Sequence, residues 1–250
     1  MPGRNPKQAM RHRARITLAL AAVALAALTG AAEAFSCGNG GYSYAGVGAP
    51  AHAYGIGASI TPLPAFNVLS GHVAGWVGVG GPGQGPGGED EWLQVGFSGF
   101  PDTDGSSIYY ELTLPGRFPT YHQVATNLPV GKAARVAVLE MHRRPNIWRV
   151  WVNGAAVSAP ILLPGSHARW SPIATAESWD GGTGGSCNGF LYRFNRVSIA
   201  HAPGGGWQPL SGGDTISSPS TRLARLSSRK GSFLAAEGPD AFRSLASFIP

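Results

Sequence analysis

Ten short apolar or aromatic runs, each cut off by a cluster of Gly, Pro, Asn or Asp, most limit the folds open to this chain. They occupy residues 52–60, 72–80, 91–100, 107–114 and 120–126, then 134–141, 148–152, 156–163, 173–179 and 190–199. Runs of this length and alternating character suit strands, whose successive side chains point to opposite faces. The pattern predicts an all-β protein, a two-layer antiparallel β-sandwich, and not a helical domain. Asn153-Gly154, between two such runs, predicts a tight hairpin because both residues tolerate positive φ. The insert from Gly80 to Gly88 cannot be a strand interior and reads as a mobile loop. The roughly 175 residues from 35 to 211 suffice for one sandwich with a substantial core.

The first 34 residues read as a secretory signal peptide. Arg4, Lys7, Arg11, Arg13 and Arg15 precede an apolar run over 16–28, and Ala32-Glu33-Ala34 offers a cleavage site. The run is shorter than the roughly 20 residues needed to cross a bilayer, so a secreted chain without stable membrane insertion is expected. No adjacent Arg pair occurs there, which favours the general secretion route. This leader carries most of the formal charge of +6, and residues 35–211 hold nine basic and nine acidic side chains. A neutral body offers no basic stripe for a phosphate backbone, which argues against nucleic acid as a partner. A monomer is expected.

Cys37 and Cys187 are the only cysteines. In an exported protein such a pair reads as a disulfide, here closing a long loop; two independent thiols are the alternative. After Trp207 the chain turns Ser-, Gly- and Arg-rich, and residues 212–250 read as a disordered tail. Within it Gly238-Pro239 interrupts an otherwise helical segment.

Three runs carry a more specific pattern. They are W-V-G-V-G-G from Trp76, W-L-Q-V-G from Trp92 and Y-Y-E-L from Tyr109. In that order they resemble the glutamic peptidases (eqolisins), with their W-V-G-I-D-G, L-Q-T-G and W-Y-E-W-Y-P segments. The resemblance implies a concanavalin-like jelly roll and a glutamine–glutamate pair that cuts proteins in acid. Gln94 matches the glutamine, whose amide would hold the attacking water and stabilise the oxyanion, keeping its protons at any pH. The carboxylate falls, by resemblance, at the end of A-E-x-x-x-E, matched by Ala176-Glu177-Ser178-Trp179-Asp180-Gly181. That position is Gly181; Asp180 is one residue short, on the opposite strand face. Gly80 replaces the aspartate of the first motif.

Two readings follow. One is a non-catalytic binder of an extended peptide or polysaccharide in a concave cleft. The other is an acid glutamic endopeptidase using Gln94 with Glu177 or Asp180. Trp76, Trp92, Tyr110, Glu111, Trp179 and Asp180 are expected to line the cleft, and no cofactor is implied.

Other chemistry has less support. Glu89-Asp90-Glu91 are consecutive, so an extended chain turns Asp90 away from its neighbours, and a solvated loop end is expected. His52, His72, His122, His142, His167 and His201 show no H-x-x-x-H spacing, so no metal site is expected. There is no G-x-S-x-G elbow. Trp148 and Trp151 fall on opposite faces of one run, which predicts one core and one exposed ring.

Overall fold

The structure, a computed structural model, describes residues 38–248 except 65, 104 and 227–229. The leader and Cys37 lie outside the described residues. In chain order the strands are β1 (Gly38–Asn39), β2 (Tyr42–Gly48), β3 (Gly55–Pro62), β4 (His72–Gly81), β5 (Glu91–Gly99) and β6 (Ser106–Thr113). Next come β7 (Thr120–Leu128), β8 (Ala134–Glu140), β9 (Ile147–Val152), β10 (Ala155–Ala156), β11 (Ile161–Leu162) and β12 (Ile173–Trp179). The last are β13 (Gly185–Ser186), β14 (Phe190–Ala202), β15 (Gly205–Pro209), β16 (Asp214–Ser217), β17 (Thr221–Arg225) and β18 (Phe233–Glu237), followed by a helix, α1 (Pro239–Ala246).

Two antiparallel sheets form the sandwich. One has the order β16-β2-β12-β4-β5-β6-β7. The other runs β10-β9-β8-β3-β14-β18-β17, with β11 beside β9 and β15 beside β14. The two-residue alternation expected of strands sorts the side chains. Val73, Val77 and Val79 of β4, Leu93, Val95 and Phe97 of β5, and Ala174 and Ala176 of β12 turn inward. They meet Ile56, Ile60, Val136, Val138, Trp148, Phe190, Tyr192 and Phe194 of the facing sheet. Each large side chain buried there contributes about 1.5–3 kcal/mol relative to exposure. Gly75 is required at this interface, since a Cβ would stand 2.7 Å from the Tyr192 ring. The intervening positions of β4, β5 and β12 are left to build the outer face of the seven-stranded sheet.

Asn153 and Gly154 have φ of 50° and 86° and join β9 to β10, as the hairpin pattern requires. Trp148 is in the core with its indole N–H on the Ser166 hydroxyl (2.8 Å), while Trp151 is half-buried.

The expectation of a disordered tail after residue 211 is overturned. β16 extends the seven-stranded sheet by pairing with β2, and β18 pairs with both β14 and β17. The segment is too polar to make a core of its own, but it has one to join. Leu234 and Ala236 of β18 pack with Leu63, Leu191 and Leu245 into a second apolar cluster. Gly238-Pro239 starts the helix instead of breaking it. Gly238 takes φ 93°, and proline at the first helical position lacks only an N–H that would have no helical acceptor.

Among the described residues no helix is long and apolar enough to cross a membrane.

Candidate functional site

A cavity of about 550 Å³ opens on the outer face of the seven-stranded sheet. Strand register explains its lining. Gln94 lies opposite Gly78 on one side and Glu111 on the other. Trp76 lies opposite Thr175, and Glu177 lies between Ala74 and Tyr44. Residues directly opposite across a ladder share a face. Trp76, Trp92, Gln94, Glu111 and Glu177 therefore line one hollow, with Tyr42, Tyr44, His72 and Thr175 beside them. Gly80, Gly81 and Pro82 of the insert close one end, together with Pro119, Ile173 and Ile216.

The polar groups are few and tied down. The Gln94 amide donates to the Tyr109 hydroxyl (3.0 Å), and Trp92 donates its indole N–H to Glu111 (2.9 Å). His72 Nε2 stands 3.4 Å from Glu177 Oε1. The Trp76 indole N–H is buried with no acceptor among the described residues, which leaves it a donor for a bound molecule. Among the described residues no Lys or Arg lines the hollow, so its two acids share it without a Lys or Arg beside them. Burial first, and the nearby Glu177 charge as well, push the Glu111 carboxyl above its ordinary range, against the pull of the Trp92 hydrogen bond. Burial with the same two acids pushes Tyr42 up to about 12 and Tyr109 well above its usual value. Both phenols thus remain O–H groups at any working pH.

Three residues expected in the cleft do not line it. Tyr110 lies opposite Val95 and packs against the core side, with its ring stacked on His122 at 4.4 Å. Adjacent strand residues point to opposite faces, so Tyr110 and Glu111 cannot share one. Trp179 flanks the hollow, its ring 6.0 Å from Tyr42 and 5.6 Å from His72. Asp180 is buried and spent on its own turn, accepting from the Gly182 and Gly184 amides at 2.9 Å each. The Gly182 amide, ahead of the other backbone donors, holds its carboxyl below the usual range.

Gly181 has φ 71° and lies in that turn beside Gly71, not in the hollow. The carboxylate that the A-E-S-W-D-G segment supplies to the hollow is therefore Glu177, four residues before the position the resemblance marks. Gly80 has φ 82°, and a Cβ there would lie 2.2 Å from the Glu91 carbonyl oxygen, so this backbone excludes an aspartate. The expected solvated end at residues 89–91 is also corrected. Asp90 accepts from the Gly83 amide (2.9 Å), but Glu91 is fully buried beneath the insert.

Tyr109, His72, Tyr42 and Tyr44 were not among the expected site residues. Tyr109 could have been found, being two residues before Glu111 and so on its face. His72 gives no sequence signal, because its place depends on the pairing of β4 with β12.

No protein-family model and no curated protein matches the chain. Solved structures do. Scytalido-glutamic peptidase bound to a peptide-based transition state analog aligns with a TM-score of 0.56 at 16% identity, over 79% of this chain and 98% of that one. SCP-B, a member of the eqolisin family in complex with the tripeptide Ala-Ile-His, aligns at 0.51 and 14% identity, over 79% and 98%. The chain therefore has the glutamic-peptidase jelly-roll fold.

Proposed function

We propose, for a chain carrying this fold, that it is an acid-acting endopeptidase in which Glu177 and Gln94 are the catalytic pair. One observation carries the reading: Glu177 and Gln94 line the same hollow, at the middle of the sheet, while Asp180 and Gly181 are turned into a separate loop. A water between the two side chains gives its proton to the Glu177 carboxylate as its oxygen attacks the scissile carbonyl carbon. The Gln94 amide donates to the oxyanion as charge develops on it. Collapse of the tetrahedral intermediate breaks the C–N bond, and the proton held by Glu177 passes to the leaving nitrogen. The Glu111 carboxylate is instead tied to the Trp92 indole N–H, so the base is assigned to Glu177.

A second reading, a binder of peptide or polysaccharide without cleavage, draws on a different observation. Both groups already have protein neighbours, Tyr109 for Gln94 and His72 for Glu177. Digestion of an unfolded protein between pH 2 and 6 separates the two. Glu177→Gln and Gln94→Ala should each lower kcat by roughly 10²–10³-fold while the protein stays folded. Undiminished cleavage by Glu177→Gln would refute the assignment. A folded wild-type protein that cleaves nothing would leave the binder.

Export and a Cys37–Cys187 disulfide belong to the same proposal. What supports the pairing is that β1 and β13 pair Gly38 with Ser186 and Asn39 with Gly185, the described residues that follow Cys37 and precede Cys187 in the sequence. We also infer that nucleic acid is not a partner, on the neutral charge of residues 35–211, and that the chain is a monomer.

A further inference from the structure

Six rings form a row across one end of the hollow. Tyr42 of β2 meets Trp179 of β12 at 6.0 Å, Trp179 meets His72 of β4 at 5.6 Å, and His72 meets Phe100 at 6.1 Å. Phe100 meets Tyr121 of β7 at 5.9 Å, and Tyr121 lies on Tyr109 at 5.0 Å. The ladder dictates the row, because His72 begins β4 where β12 ends, and Phe100 immediately follows β5. Tyr42, Phe100 and Tyr121 are exposed by 53%, 37% and 38%, so the row is an open apolar surface of the kind globular proteins seldom leave uncovered without use.

Its position is asymmetric. Glu177 pairs with Ala74, at the His72 end of β4, whereas Gln94 pairs with Gly78 toward the glycine-rich insert. A chain lying across the two would meet aromatic rings on one side of the reacting bond, and Gly80, Gly81 and Pro82 on the other. The ring geometry also discriminates between occupants. Tyr42 and Trp179 are 17° from parallel, and Tyr109 and Tyr121 are 11° from parallel, so ring faces are taken up by one another. Sugar stacking needs open faces, whereas ring edges accept an aromatic side chain in an edge-to-face contact worth about 0.5–1.5 kcal/mol beyond its area.

We propose that the Tyr42–Trp179–His72–Phe100–Tyr121 row is a subsite that selects polypeptide substrates with an aromatic side chain on one side of the cleaved bond. The occupant is an unfolded polypeptide because the row is continuous with the hollow through Tyr42 and His72, which line both. This rests on the peptidase reading, and the experiment keeps the two apart. Decapeptides differing only by Ala, Leu, Phe or Lys at each position around a central bond are incubated with full-length protein in acid, and kcat/KM is read by mass spectrometry. At one position, on one side only, Phe should exceed Ala by about ten-fold or more, the scale of discrimination an apolar subsite provides.

Phe100→Ala lies outside the hollow and should reduce that ratio to about two-fold or less, leaving cleavage of the all-Ala peptide unchanged. A flat wild-type preference, or a ratio preserved in Phe100→Ala, overturns the proposal. If no peptide is cleaved, the peptidase reading fails, and binding of the same intact peptides is measured by calorimetry. Tighter binding of the Phe peptide that is lost in Phe100→Ala upholds the subsite. Equal binding of Phe and Ala peptides, or binding of a β-glucan oligosaccharide in their place, overturns it.

Discussion

Replacing Glu91 by Gln should make the protein more stable at neutral pH and remove much of its pH dependence. Glu91 opens β5, no part of it reaches solvent, and neither carboxylate oxygen has a hydrogen-bond partner among the described residues. Gly85 of the insert packs over it so closely that a Cβ there would lie 3.2 Å from Glu91 Oε2. Desolvation pushes its pKa from 4.5 up to about 7. The sign follows from proton counting: between those two values the folded chain binds a proton that the unfolded chain has lost. Stability therefore falls as pH rises through this window, and the full penalty persists above about 7. At about 1.4 kcal/mol per pH unit the gap amounts to roughly 3 kcal/mol at most. The cover is a single loop thick, and solvent on its far side screens the charge, so about 1–3 kcal/mol is expected. Urea unfolding of wild type and Glu91→Gln at pH 4, 5, 6, 7 and 8 measures it. The difference in midpoint should widen from near zero at pH 4 to its full value by pH 8, in favour of the variant. Parallel curves would refute the argument. Taking the difference also cancels Glu111 and Glu237, whose carboxyls burial pushes up as well.

Further outcomes can be checked in the same preparations. Asp180→Asn should lower the urea midpoint at pH 7, and the loss should disappear in strong acid, where the depressed carboxyl of the wild type is itself protonated. Its kcat for the folded fraction should not change, which separates a turn-holding acid from a base. Glu111→Gln should keep acid-pH cleavage, because the amide oxygen still accepts the Trp92 indole N–H and the base is Glu177. Truncation after Ser211 should abolish cooperative unfolding by circular dichroism. It deletes Phe233 and Leu234, each worth about 1.5–3 kcal/mol of burial, from a fold whose net stability is typically about 5–15 kcal/mol.

The sandwich was legible because its signal is local. Val73, Val77 and Val79 alternate with Trp76 and Gly78 within a single strand, and no partner is needed to see which set is core. The same alternation brings Trp76, Gln94 and Glu111 to one face. It also rules out Tyr110 beside Glu111, a constraint that motif matching passes over. The tail was illegible for the opposite reason, since β16 and β17 have little apolar content and are strands only by virtue of β2 and β18. Glu91 and His72 belong to the same class: nothing in their neighbours along the chain reveals burial under a loop or a place beside Glu177. The displacement of the acid from Gly181 to Glu177 is a geometric result, because a turn at Asp180–Gly184 takes the segment off the sheet after Trp179.

The pairing of β16 with β2 joins Ser217 to Ala45, so an early strand waits for one made 172 residues later. β18 likewise fills the slot between β14 and β17 only once residues 233–237 have been made. Contacts of such sequence separation are slow to form, because a large loop must close before any of them is made. A growing chain therefore emerges from the ribosome with both sheets still lacking strands and with open edges that invite association. Nascent chains stalled before residue 233 should therefore be digested by protease far faster than chains that carry β18.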